Sequence, residues 1–222
     1  MRHFKSVLLS MILVLSVVGL QLNAATPPQT QAGFITFQNT TNSGTTMNWV
    51  NGSGAGRIVV VSTTNNFNTY PPINNTTYTV VGVGDYSNAL NPTLGTGKVI
   101  YNGTGSQNSV AVTGLAANTS YWFRVYDYNI GGTPSPAYNT NQRLLNPRQL
   151  KTAPAVPINL AANDITSYSA KLTWSQSAGA TSYHLDLSTG NGATFNANIV
   201  EPYNDLDIGD ILEWDLTGLT EN

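Results

Sequence analysis

The stretch that decides the fold is GLAANTSYWFRVY at residues 114–126. From residue 121 onward, aromatic and branched side chains alternate along a predicted β-strand, so successive residues lie on opposite faces. One face carries Tyr121, Phe123 and Val125. The other carries Trp122, Arg124 and Tyr126. The first face is the predicted core face.

Similar short runs of Val, Ile, Thr, Tyr and Phe fill the chain from residue 33 onward and are separated by Gly, Asn and Pro. No segment shows a sustained period of 3.6 residues, so the pattern predicts an all-β protein. The candidate strands before residue 153 are 33–38, 45–50, 57–63, 98–101, 109–113, 119–128 and 149–152. Short, regularly spaced strands of this kind favour a two-sheet sandwich.

The pattern breaks and then repeats. Pro154 and Pro157 disfavour strand pairing and predict a domain boundary. Beyond them the earlier segments recur, since 170–174 resembles 45–49, 183–188 resembles 57–62, and 214–219 resembles 110–115. These matches indicate two copies of one module.

The early Trp of each copy and the run GLAANTSY resemble the fibronectin type III family. In that family the Gly-Leu-x-x-x-Thr-x-Tyr run forms a tyrosine corner, in which a buried phenol bonds to backbone. With Trp49, YNGTG at 101–105 and RVYDYN at 124–129, the first copy resembles the longer variant found in exported proteins of Bacteroidetes-type bacteria. The second copy resembles the shorter variant. The resemblance implies tandem immunoglobulin-like β-sandwiches.

We therefore divide the chain into residues 33–153, with a long insertion at 65–97, and residues 154–222; residues 25–32 are expected to be a linker. After Gly218 and Leu219 the family pattern requires a Thr-x-Tyr turn and two further strands, yet the sequence stops at residue 222. We expect the sequence to be a fragment of a longer reading frame. A second copy without these strands would expose unpaired strand edges and apolar surface.

The N-terminus has the order of a secretory signal. Arg2 and Lys5 precede an uncharged aliphatic run at 6–20, and small residues follow at 24–25. The run is too short to span a bilayer comfortably. We predict a signal peptide at 1–24, with cleavage after Ala24, and a secreted or cell-surface protein without a transmembrane segment after cleavage.

Composition restricts the chemistry. The chain has 222 residues, 9 Lys and Arg, 11 Asp and Glu, 2 His and no Cys. A net charge of −2 and only 9% charged residues disfavour nucleic-acid binding. Zero Cys and two His leave few metal ligands, thiol nucleophiles or general bases. We predict no catalytic residues, no cofactor and no metal, and hence a protein that is not an enzyme. His184 and Asp186 alternate with apolar residues and are predicted to face solvent together.

The insertion at 65–97 contains Tyr70, Tyr78 and Tyr86. Long loops often carry function, and tyrosines can stack on sugar rings or contact a protein partner. These three residues are the candidate contacts for an extracellular glycan or protein. The alternative is that Tyr78 belongs to an edge strand and the others pack under the loop.

The leading interpretation is a non-catalytic binding, adhesion or spacer module of a larger secreted or cell-surface protein. The alternative is an accessory region of an exported hydrolase, acting on polysaccharide or protein, whose catalytic domain lies beyond residue 222. The sequence does not predict an oligomeric state.

Overall fold

The computed structural model describes residues 23–220, and within them the regular secondary structure is nearly all β-strand, as predicted. The strands of the first unit are β1 (Gly33–Gln38), β2 (Thr45–Val50), β3 (Gly56–Ser62), β4 (Thr93–Leu94), β5 (Gly97–Thr104), β6 (Ser109–Val112), β7 (Ser120–Asn129), β8 (Ala137–Tyr138) and β9 (Arg148–Lys151). Those of the second unit are β10 (Ile158–Asn163), β11 (Ser169–Ser175), β12 (Tyr183–Leu185), β13 (Leu206–Gly209) and β14 (Glu213–Thr217). A short 3₁₀ helix, Gly192–Ala197, follows β12.

The first unit is a sandwich of two antiparallel sheets. One sheet has the order β1-β2-β6, and the other has the order β4-β5-β3-β7-β8, with β9 also paired to β7. Residues of both sheets form one buried cluster, which includes Ile35, Met47, Val59, Phe123 and Val125. The alternation of β7 therefore places the predicted face in the core, and the strand order is that of an immunoglobulin-like sandwich.

The second face of β7 is also covered, which the alternation alone did not predict. Tyr126 and Arg124 are buried, and a second cluster joins Tyr126 to Phe67 and Tyr78 from the insertion. All seven residues of β3 are buried. The insertion folds back over the outer face of the larger sheet, so residues 58–61 of β3 have apolar neighbours on both sides, in agreement with their continuous hydrophobic sequence IVVV.

The turn before β7 has the geometry that the resemblance implies. The backbone amide of Ala116 donates to the hydroxyl of Tyr121 at 2.9 Å, and the ring of Tyr121 is buried. Gly114 has a φ of +72°, in the left-handed region that glycine tolerates. Gly218, at the matching place in the second unit, has a φ of +73°.

The second unit has fewer strands and smaller clusters. β10, β11 and β14 form a three-stranded sheet, and β12 pairs with β13 in a two-stranded sheet. Trp174, Tyr183 and Ile208 form one buried group between them. Every residue of β10 is exposed. Segment 183–188, which resembles 57–62 in sequence, forms a strand only over Tyr183–Leu185.

Residues 25–32, expected as a linker, contain buried side chains. Ala32 and Gln31 are buried, the Ala32 amide donates to the carboxylate of Asp127, and the Gln31 side-chain carbonyl accepts from the Asp127 amide at 2.7 Å. The end of this segment thus packs against β7. Residues 1–22 of the predicted signal peptide lie outside the described residues.

Candidate functional site

The three candidate tyrosines of the insertion lie in different surroundings. Tyr78 is buried, and its hydroxyl accepts from the Ile73 amide at 3.0 Å. Its ring meets that of Tyr138 edge-on, with centroids 5.9 Å apart. It belongs to the cluster beneath the insertion, outside any strand. Tyr78 is thus a packing residue in this structure.

Tyr86 and Tyr70 differ from each other as well. Tyr86 is half-buried against the core cluster, and its ring lies edge-on to Tyr121 at 5.2 Å; burial raises the pKa of its phenol. Tyr70 is 47% exposed, and its ring lies beside Gly95, where an added Cβ would meet it at 2.3 Å. The structure therefore does not bring the three side chains into one surface, and of the three only Tyr70 is exposed, with about half of its surface accessible.

In the second unit, one strand has an edge without a hydrogen-bonded neighbour among the described residues. In the first unit β3 lies between β5 and β7 and pairs with both. Its counterpart β12 pairs with β13, and within residues 23–220 no strand pairs with its other edge. This open edge is the place that β7 fills in the first unit.

The backbone groups at the open edge can be identified from the hydrogen bonds on the paired side. Leu187 donates to the Tyr203 carbonyl at 3.0 Å and accepts from the Val200 amide at 2.8 Å. Successive residues of an extended strand direct their amide and carbonyl groups to opposite sides. We therefore expect the amide and carbonyl of Asp186, which directly follows the end of β12 at Leu185, to point towards the open edge.

An apolar groove of about 240 Å³ lies along this edge. Its lining residues are Pro157, Leu160, Trp174, Tyr183, His184, Leu185, Asp186 and Ile208. A second depression, lined among others by Pro154 and Val156, shares Pro157, Tyr183 and His184 with the groove, so the two continue into each other. Together they form a trough along β12.

Apolar side chains in and beside the groove are largely exposed to solvent. Leu160 is 69% exposed, and its neighbours Ile158 and Val156 are 62% and 70% exposed. The indole N–H of Trp174 is buried and has no hydrogen-bond partner among the described residues. By contrast, the indole of Trp49 donates to the Asn51 side chain at 2.8 Å. Exposed apolar side chains beside an unpaired strand edge are typical of an interaction surface.

The outer rim of the groove carries charge. His184 and Asp186 are both exposed, as predicted. The ring Nδ1 of His184 lies 2.7 Å from a carboxylate oxygen of Asp205, and this hydrogen bond raises the pKa of His184. The Asp205 amide donates to Asp186 at 2.7 Å. A hydrogen bond from Ser182 lowers the pKa of Asp207. The rim is therefore mainly acidic.

Two further observations concern the described part of the chain. Within residues 23–220, no group of three or more His, Cys, Asp or Glu side chains is arranged to hold a metal ion. The same residues include no helix with the length and apolar character needed to cross a membrane.

The sequence predicted part of this site. The absence of partner strands in the second copy predicted an exposed edge and apolar surface, and the structure confirms both for the described residues. The strands β10 and β13 were not predicted, so Leu160 and Ile208 were missed as lining residues. The exposed Ile158 and Leu160 at alternate positions are the signal that identifies them in retrospect.

The chain shows limited sequence similarity to known proteins. No protein-family model matches the chain. A segment of 70 residues, 32% of the chain, is 37% identical to titin of Drosophila melanogaster; the match covers 0% of titin to the nearest per cent.

Three solved structures resemble the chain. The FN1–FN3 domains of chicken CNTN1 match with a TM-score of 0.39 and 10% identity, covering 89% of this chain and 60% of theirs. A two-domain fibronectin type III segment of chicken tenascin matches with a TM-score of 0.32 and 14% identity, covering 86% and 85%. The central fibronectin-III array of RIM-binding protein matches with a TM-score of 0.33 and 11% identity, covering 90% and 61%. All three TM-scores are below 0.5; the evidence for the sandwich fold is the strand order of the first unit.

Proposed function

We propose that this chain is a non-catalytic binding or adhesion module of a larger exported bacterial protein, built from two fibronectin type III-like units at 33–153 and 154–222. The observation that supports the proposal is the sandwich of the first unit, in which β1-β2-β6 packs on β4-β5-β3-β7-β8 in the strand order of an immunoglobulin-like domain.

Export is the part of the proposal that the N-terminal sequence supports. The full chain is to be expressed in a bacterial host, and the protein found outside the cytoplasm sequenced from its N-terminus. We expect a mature chain beginning at Ala25. Accumulation of the chain in the cytoplasm with residues 1–24 intact would contradict export.

Binding is tested separately with the purified full chain on two arrays, one of glycans and one of extended peptides. We expect saturable binding on one of them. Loss of binding in a Leu160→Asp variant would identify the trough as the binding surface. The substitution places a charge at an exposed position, so it blocks apolar contact without removing a buried side chain. Loss of binding in a Tyr70→Ala variant would instead identify the insertion at 65–97 as the binding surface. Absence of saturable binding on both arrays would contradict a binding module.

A further inference from the structure

We infer that a polar pocket of the first unit binds an acidic sugar residue of a polysaccharide, with Arg143 pairing with the carboxylate of the sugar. The pocket is lined by residues 29–31, 139 and 141–143 and has a volume of about 310 Å³. This volume lies at the lower end of the range for small-molecule sites, which begins at about 300 Å³. The inference rests on the proposed binding function and names a ligand class for it, at a surface separate from the trough.

Two buried amide side chains hold the pocket together. Gln31 and Asn139 are 3% and 4% exposed. The side chain of Gln31 donates to the Asn139 carbonyl, and its own carbonyl oxygen accepts from the Asp127 amide at 2.7 Å. Asn139 donates from its side chain to the Pro28 carbonyl at 2.8 Å and accepts from the Asn141 amide at 2.9 Å. These bonds fix the N-terminal segment against the β8–β9 connection, so the pocket is organised before a ligand arrives.

Arg143 is positioned at the wall of this pocket by β1. Its guanidinium donates to the Gln31 carbonyl at 2.7 Å and lies over the ring of Phe34, 5.3 Å from the centroid. The stem of Arg143 lies against Gly33, where an added Cβ would be 2.8 Å from the arginine Cδ. Among the described residues the guanidinium makes this single hydrogen bond, so most of its donors are available to a ligand.

The pocket carries positive charge without a nearby free acid. Within residues 23–220, no Asp or Glu lines it, and neither Arg143 nor Arg124 forms an ion pair. Arg124 lies beneath the pocket and donates to the Asn141 carbonyl at 3.3 Å; it is 1% exposed, so water screens its charge little. The buried acid Asp127 is already paired with Arg57. The pocket therefore favours an anionic ligand.

The other lining groups favour an anion that carries hydroxyl groups. Gln29, Thr30, Asn141 and Gln142 are exposed at the rim, and amide side chains both donate and accept hydrogen bonds. Neighbouring sugar hydroxyls also donate and accept, so they match these groups. A carboxylate pairs with a guanidinium through two parallel hydrogen bonds. One cation among several neutral amides thus fits one uronic or sialic acid residue, whereas an acidic peptide supplies the charge but few hydroxyls.

The test presents the purified full chain with oligosaccharides that contain uronic or sialic acid, each beside its methyl ester on the same array. The ester removes the charge and keeps the ring hydroxyls. We expect saturable binding to at least one acid and binding weaker by about tenfold or more to its ester, because the ester cannot form the charged pair with Arg143.

Arg143→Gln should weaken binding to the same acid by about tenfold or more. Arg148→Gln is the matched control and should leave the affinity unchanged. Arg148 also donates to a β1 carbonyl, that of Ile35, and lies over a phenylalanine ring, that of Phe37 at 5.8 Å, but it lies outside the pocket.

Asn141→Asp is the second variant if Arg143→Gln disturbs folding, which circular dichroism checks. It places a carboxylate at an exposed position of the rim and should repel the acid, again weakening binding by about tenfold or more.

The inference would be overturned by no binding to any of the acids, by equal binding of an acid and its ester, or by equal affinities of the Arg143 and Arg148 variants. Displacement of the sugar by a glutamate-rich peptide at the same carboxylate concentration would also overturn it, because charge alone would then be recognised. Saturable binding of neutral glycans or extended peptides in these cases would leave the proposed binding function intact.

Discussion

Asp127 is a fully buried carboxylate in β7, and its partners explain why it is tolerated there. The Nε of Arg57 lies 3.3 Å from it, and the Ala32 amide donates to it. Burial raises the pKa of Asp127, while the Arg57 guanidinium and the Ala32 amide oppose that shift. Arg57 also donates to the Gly105 carbonyl at 2.6 Å. The pair therefore fixes the N-terminal segment and two loops against the sandwich.

Removing one member of this pair should destabilise the fold. Asp127→Ala leaves Arg57 buried without its carboxylate and should lower the free energy of unfolding by about 3–5 kcal/mol. The matched control is Glu213→Ala, which breaks the exposed pair with Lys171 at 3.0 Å and should lower the free energy of unfolding far less, because solvent screens this pair. Urea unfolding of the full chain measures both. Equal effects of the two variants would contradict the role given to the buried pair.

His184 should titrate above the ordinary histidine value of 6.5, because its ring is hydrogen-bonded to Asp205. Its contribution to stability is present below pH 6.5 and is lost as the pH rises through the raised pKa. NMR titration of the ring protons measures the pKa, and Asp205→Asn should move it back towards 6.5. An unchanged pKa in that variant would show that the contact does not exist in solution.

Of the three candidate tyrosines, only Tyr70 can be replaced without disturbing a buried cluster. Tyr78 and Tyr86 are packed, so replacing them disturbs the fold together with any surface contact. Tyr70→Ala should change the free energy of unfolding by about 0.5 kcal/mol or less, since the ring is about half exposed. If the insertion binds glycans, this variant alone should lower glycan-array binding. Unchanged binding would remove Tyr70 from consideration.

At the scale of the element, the insertion acts as a third layer over the larger sheet. Arg124 donates to the Asn68 side chain at 2.9 Å and to the Thr140 carbonyl at 2.7 Å, so it joins the insertion to the β8–β9 connection. Burial raises the pKa of Tyr126 to about 12 beside it. The outer face of β7 therefore forms part of a second buried core, between the larger sheet and the insertion.

Phe67 tests this layer, because it is 2% exposed and lies in the insertion. Phe67→Ala should lower the free energy of unfolding by about 3–5 kcal/mol, the usual loss for a buried phenylalanine. Tyr70→Ala, three residues away in the same insertion, is the control. Chemical denaturation that gives similar midpoints for both variants would show that the insertion is not packed on the sheet.

The success of sequence prediction varied with the kind of element. Strands such as β2 were predictable because one face is buried and the other is not, which leaves a period of two. The covering of Arg124 and Tyr126 was not, because a long connection leaves no periodic signal of where it packs. β10 was missed because INLAAN is poor in the residues that favour strands. The open edge was predictable, and the residues that line it were not.

At the scale of the whole molecule, the two units differ in how completely their sheets are paired. The first unit has strands on both sides of β3 and two buried clusters. The second unit has one pairing for β12 and an exposed β10. A unit that buries less apolar surface is less stable.

Heating or urea should therefore unfold the chain in two steps, with the second unit unfolding first. Hydrogen exchange resolved along the chain follows the two steps separately. A single transition shared by both units would contradict this expectation.

The most direct measurement is amide hydrogen exchange of the full chain by NMR, without any added ligand. We expect slow exchange for Val59 and Val60 in β3, which is paired on both sides, and faster exchange for Asp186 than for Leu187, whose amide is bonded to Tyr203. An Asp186 amide as protected as that of Leu187 would mean that the second edge of β12 is already covered, so that the open edge described for residues 23–220 does not exist in solution.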